Sequence, residues 1–135
     1  MYSLSPGLSD EHALGLTTAA LAQVGDAVYE LMVRTRLCAE GTAVTARRLH
    51  SERVARVNAS AQGGAAARIA GLLSEDERAV FLRGRNSKTH AAPKGASARD
   101  YRAATAVEAL WGWLWLTGRR ERLETLFAAA YSLRA

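Results

Sequence analysis

Residues 17–39 read TTAALAQVGDAVYELMVRTRLCA, and residues 98–116 read ARDYRAATAVEALWGWLWL. In the first stretch Leu21, Val24, Val28, Leu31, Met32 and Thr35 recur at helical spacing and define one face. Thr17 or Thr18 can cap this helix at its start, and Gly41 can stop it after Ala39. The second stretch is apolar nearly all the way round and is followed by Gly118. Two long helical patterns of this kind, with no alternating strand pattern anywhere, predict an all-α fold.

Outward from these two, the rest of the chain agrees. A helical pattern after Thr42 to Thr45 carries Leu49, Val54 and Val57, and another covers roughly 58–72, weakened by Gly63 and Gly64, which mark either a break or a close helix contact. Ser74-Glu75-Asp76-Glu77 has the form of a capping box and opens a helix that turns Val80, Phe81 and Leu82 toward the core. From Arg83 to Ser97 the periodicity dissolves into a long loop. A final amphipathic helix presents Leu123, Leu126, Phe127 and Tyr131. Residues 1–16, with Pro6 and two glycines, read as an irregular lead-in. The length of 135 residues suits one domain, 1–135, with one core.

The chain is 49% hydrophobic, which excludes general disorder, and carries a net charge of +5. Sixteen of its 18 cations are arginines, whose planar fork suits phosphate. A polyanionic partner fits that balance. Cys38 is the only cysteine, so it has no disulfide partner in the chain, and it reads as a small apolar filler near a helix end. No positive leader precedes Arg34 and no apolar run is long enough for a bilayer, so the expected location is cytoplasmic, without a membrane.

Two acids stand out against this background. Asp26 is the single carboxylate between Leu16 and Tyr29, and Glu108 is the single charge between Ala103 and Leu116. An unpaired carboxylate on a buried helix is costly. Each alone could be neutralised by an arginine. Two on separate core helices point to a shared cation, with Mg2+ the natural choice because it takes few protein carboxylates. Gly25 and Gly112 give each helix clearance beside its acid. His12, His50 and His90 show no paired spacing, which argues against zinc, and His50 reads as a surface residue. Glu30 lies one turn before Arg34 and reads as a helix-surface ion pair or a supporting neighbour of the site.

Between residues 83 and 102 six cations face Asp100 alone. Arg83, Arg85, Asn86, Ser87, Lys88 and Lys94 form a segment able to follow a phosphate backbone, with polar groups that reach sugar hydroxyls. The bland alternative is a solvated basic loop. Arg47, Arg48, Arg53 and Arg56 make a second basic stripe, read as an exposed helix face. Trp111 and Trp115, one turn apart, read as core or interface anchors. Trp113 falls on the other side of the same helix, which suggests burial on two sides, and a homodimer is one way to achieve it.

The segment Leu21 to Glu30 resembles the signature helix of the ribonuclease III superfamily, specifically the mini-ribonuclease III family. Leu49-His50, Arg83 to Lys88 and Tyr101 to Gly112 agree with it in order and spacing, so the resemblance spans about residues 17–118. It implies an all-α, homodimeric endonuclease domain that cleaves double-stranded RNA with Mg2+, for which Mn2+ can substitute. It implies maturation of a ribosomal RNA precursor, notably the large-subunit RNA, and allows a ribosomal protein that presents the substrate. By position, Asp26 becomes the catalytic, metal-binding acid and Glu108 the second metal ligand. Larger relatives carry two further acids, where this chain has Ala22 and Thr105, so the metal site is sparser. Relatives often have an aromatic residue near the dimer contact where this chain has Gln23. The rival is a non-catalytic RNA-binding or ribosome-assembly protein in which Asp26 and Glu108 are core salt-bridge partners.

Overall fold

Thr17 begins the central helical layer: its side-chain oxygen accepts from the Ala20 N–H at 3.1 Å, leaving Thr18 to start the longest helix. The computed structural model describes Leu4, residues 7–87 and residues 97–131. In chain order the helices are α1 (Asp10–Leu14), α2 (Thr18–Ala39), α3 (Ala46–Val57), α4 (Ala59–Ile69), α5 (Glu75–Arg85), α6 (Ala98–Leu116) and α7 (Arg120–Ala130), with a 3-10 turn at Ala70–Leu72. Among the described residues there is no strand. The all-α expectation holds.

Local signals set most boundaries. Thr45, Asn58, Ser74 and Ser97 each cap a helix through a side-chain oxygen. Ser74 and Glu77 complete the reciprocal capping box. Gly41 and Gly118 take positive φ (75° and 74°) just beyond α2 and α6, where a side chain would be strained. One expectation needs correcting. Residues 10–14 of the lead-in form the short helix α1, because Ser9 caps it with Asp10 and Glu11 in its first turn. Of the two readings of Gly63 and Gly64 the structure has the close contact: α4 runs through both, and a Cβ on Gly63 would meet the Asp100 carboxylate of α6 at 2.8 Å.

Helix α6 is the axis of the fold, packed against α2, α4, α5 and α7. Ten of its residues are buried, from Ala104 to Leu114. Trp111 stacks on Tyr29 of α2 with the ring centres 5.7 Å apart, and Tyr29 meets Phe127 of α7 edge-on. Trp113 is buried within this one chain, under the guanidinium of Arg119. The two-sided burial of α6 is therefore met inside the monomer and does not by itself require a second copy.

The inward face of α2 is rotated from the one read in sequence. Leu21, Gly25, Val28, Tyr29, Val33 and Leu37 are buried, whereas Leu31 is 62% exposed and Thr35 lies in solvent. The cause is Gly25, which pulls its own face onto α6. A Cβ built on Gly25 would land on the Glu108 carbonyl oxygen, and one on Gly112 would land on the Leu21 carbonyl oxygen. The backbones of α2 and α6 thus touch at this crossing, which only glycine permits. Cys38 is exposed at the end of α2 rather than filling a gap, and Val54 of α3 is 41% exposed.

Candidate active site at a helix crossing

The glycine contact brings two acids together. Asp26 follows Gly25 on α2, and Glu108 is the residue whose backbone Gly25 touches on α6. Their carboxyl groups are near enough to act on each other's titration. Asp26 lies at the solvent edge and Glu108 is half-buried. This corrects the expectation of two acids sunk in apolar surroundings, because the crossing opens at the surface on the Asp26 side.

Burial pushes the Glu108 carboxyl up to about 7, and the neighbouring Asp26 adds to the rise. Asp26 is also raised, first by partial burial and then by the charge of Glu30, while Arg53 opposes. Neither acid makes an ion pair among the described residues. What Glu108 does have is Gln62 of α4, which donates Nε2–H to Glu108 Oε2 at 3.2 Å and a second N–H to the Val57 carbonyl at 2.9 Å. The Gln62 Oε1 atom is buried without a hydrogen-bond partner. Gln62 was not singled out by sequence reasoning. The available signal was a polar residue in an otherwise small and apolar helix, next to Gly63 and Gly64.

Glu30 is committed elsewhere. Arg53 of α3 donates to both of its oxygens at 3.0 and 2.9 Å, and Arg34 adds a contact at 3.1 Å. The Arg53 guanidinium also lies 3.2 Å from His50 Nδ1. Arg48 and Arg56 are both paired with Glu52. The stripe read as an exposed basic face is therefore partly folded in, with Arg53 and Arg56 only 16% and 15% exposed.

The expected basic loop divides. Arg83 and Arg85 fall in the last turn of α5, Asn86 is its C-cap and Ser87 follows, while Lys88 and Lys94 lie outside the described residues. Arg83 donates to the Leu16 carbonyl at 2.7 Å, toward the N-terminal segment. Arg85 instead lines a cleft between α4 and α6 that Arg99, Gly63 and Ala66 also border. Asp100, on the same cleft, precedes Glu108 by eight residues, about 12 Å along α6 at about 1.5 Å per residue. Thr105 and Ala22, where larger relatives carry acids, contribute none; the Thr105 hydroxyl donates to the Tyr101 carbonyl.

Among the described residues no group of three or more His, Cys, Asp or Glu side chains converges. The donor set is the two carboxylates of Asp26 and Glu108, both hard oxygen ligands. That set fits a cation such as Mg2+, which keeps several waters and accepts few protein ligands.

A family model described as "Ribonuclease III domain" matches residues 19–119. The chain is 44% identical over 119 residues to the Mini-ribonuclease 3 of a Thermoanaerobacter species, covering 88% of this chain and 83% of that protein. It is 35% identical over 132 residues to the Mini-ribonuclease 3 of Clostridium tetani, covering 98% and 87%. A crystal structure of a Fusobacterium nucleatum protein superposes with a TM-score of 0.77 at 26% identity, covering 87% of this chain and 93% of that one.

Proposed function

The chain belongs to the mini-ribonuclease III family of endoribonucleases, and on that premise we propose that it hydrolyses phosphodiester bonds of double-stranded RNA with Mg2+ held by Asp26 and Glu108. Mn2+ would substitute. The observation that carries this reading is the convergence of two carboxyls, on different helices, neither of which has an ion pair among the described residues. Two acids so placed repel until a proton or a metal sits between them. The bound metal would supply an activated water and charge stabilisation for the leaving oxygen. Asp26 and Glu108 hold it, and the α2–α6 contact fixes their spacing.

Arg85 and Arg99 border a cleft along the α4–α6 seam, well placed for a phosphate about two turns from the acids. Asn86, Ser87, Lys88 and Lys94 would extend that grip along the duplex, with contacts to phosphates and 2′-hydroxyls. Arg83, tied to the Leu16 carbonyl, serves the same end at its margin. The natural substrate in this proposal is a ribosomal RNA precursor, cut during maturation of the large-subunit RNA, with a ribosomal protein as an optional presenter. Among the described residues no helix is long and apolar enough to cross a membrane, which is compatible with work in the cytoplasm.

A homodimer completes the proposal. Val24, Ala27, Leu31, Met32, Trp115 and Leu123 line an open, mainly apolar groove of about 500 Å3 on the outer side of α2. Covering that face with a second copy removes apolar surface from water and supplies one site per strand. The rival reading, a non-catalytic RNA-binding or assembly protein, needs salt-bridge partners for Asp26 and Glu108, and the described residues offer none.

The test is cleavage of a defined RNA duplex with and without Mg2+. Wild-type protein should cut and EDTA should stop it, while Asp26→Asn should bind the duplex without cutting. An Asp26→Asn protein as active as wild type would sink the mechanism.

A further inference from the structure

We propose that Gln62 is a positioning residue that holds the Glu108 carboxylate toward Asp26, and that it does so by anchoring Glu108 to the end of α3. The inference rests on the metal-site reading above and adds a third helix to it.

Gln62 is 4% exposed and is one of few buried polar side chains among the described residues. Its amide nitrogen has two hydrogens, and both are used. One goes to the carbonyl of Val57, the last residue of α3, and the other to Glu108 Oε2. The Val57 carbonyl can only accept, so the amide cannot flip without losing that bond. The NH2 end must face both Val57 and Glu108. Its orientation is therefore set by α3 and passed on to Glu108.

The arrangement has a cost that packing alone would avoid. With the nitrogen so committed, Oε1 is left buried and without a donor. Methionine or leucine would fill the same space without stranding a polar atom. A donor at this point restricts which way the Glu108 carboxylate points. Ligand carboxylates are commonly held by such outer hydrogen bonds. Ala22 and Thr105 bring no further acid to the site, which leaves Glu108 more dependent on its neighbour.

A purely structural role would be to satisfy the α3 end. The two are separated by measuring Mn2+ binding directly, by calorimetry or by the loss of the free Mn2+ paramagnetic resonance signal, below the melting temperature of every protein compared. Gln62→Met should keep the helical circular dichroism but bind Mn2+ roughly 10- to 100-fold more weakly. Its kcat on duplex RNA should fall with KM within about twofold of wild type, since the RNA contacts are intact. Should Gln62→Met fail to fold, Gln62→Leu is the second apolar replacement and carries the same expectation. Wild-type Mn2+ affinity in a folded apolar variant, whatever its melting temperature, overturns the proposal. Asp26→Asn separates this from failure of the underlying reading. If wild-type protein shows no Asp26-dependent Mn2+ binding, the metal site and the role of Gln62 both fall. If that binding is present and Gln62→Met matches it, only the role of Gln62 falls.

Discussion

Glu77 and Glu108 are acids on neighbouring helices of one core, and their surroundings are opposite. Glu77 is 4% exposed, yet its oxygens accept from the Ser74 N–H and from Arg122 at 2.7 and 3.0 Å. These bonds hold its carboxyl below the ordinary glutamate value despite burial. Among the described residues Glu108 meets a neutral amide and another acid, and its carboxyl is raised. A buried acid that owns an arginine and a helix N-terminus is part of the scaffold. A half-buried acid whose neighbour is a second acid is stabilised only when something else arrives. The contrast distinguishes architecture from function more sharply than burial does.

The largest effect that would break the contrast lies in activity. Asp26→Asn or Glu108→Gln should lower kcat on duplex RNA by more than the roughly 100-fold typical of outer-shell losses, whereas Glu77→Gln, measured on the folded fraction, should leave kcat near wild type. Equal losses from all three in single-turnover cleavage would erase the distinction. Next comes the crossing itself. Gly25→Ala must push α2 away from the Glu108 backbone, at about 1–3 kcal/mol or more. Denaturant melts should show that loss, and activity should fall with it, because the same contact spaces the two acids.

Glu77→Gln sharpens the comparison from the scaffold side. It weakens a charged hydrogen-bond pair and the α5 cap, so chemical denaturation should show about 1–3 kcal/mol lost, with no response to Mg2+ beyond that of wild type. The pH dependence should be smaller. A carboxyl whose folded-state value is raised stabilises the folded protein below its unfolded value of 4.5, and that stabilisation is lost as pH rises through about 7. Metal-free protein should therefore melt lower at pH 8 than at pH 5.5, by scanning fluorimetry in EDTA. Glu108→Gln should flatten that slope, and saturating Mg2+ should offset it, since ligand at 100 times its Kd contributes about 2.7 kcal/mol. A slope unchanged in Glu108→Gln would remove Glu108 as its source.

Much of this was legible beforehand. Thr17, Gly41, Ser74 and Gly118 were readable as helix boundaries because caps and stops act within a few residues. The two isolated acids were readable because charge is rare on core helices. The inner face of α2 was misread by part of a turn: Leu31 is apolar but exposed, and the burial of Gly25 leaves no hydrophobic signal. The pairing of Arg53 with Glu30 and the approach of Gln62 to Glu108 were not legible at all. The first links residues 23 apart in sequence and the second residues 46 apart.

By itself, then, the sequence determined the helices, the two unusual acids and the glycines beside them, together with a resemblance strong enough to name a family. Those are local properties, written in periodicity, capping and composition. Only the tertiary structure decided that Gly25 lies on the backbone of Glu108, that Glu30 is already neutralised, and that Gln62 reaches in from a third helix. Each of these depends on which helix faces cross, and a crossing is chosen by the packing of the whole core, where a missing side chain counts as much as one that is present.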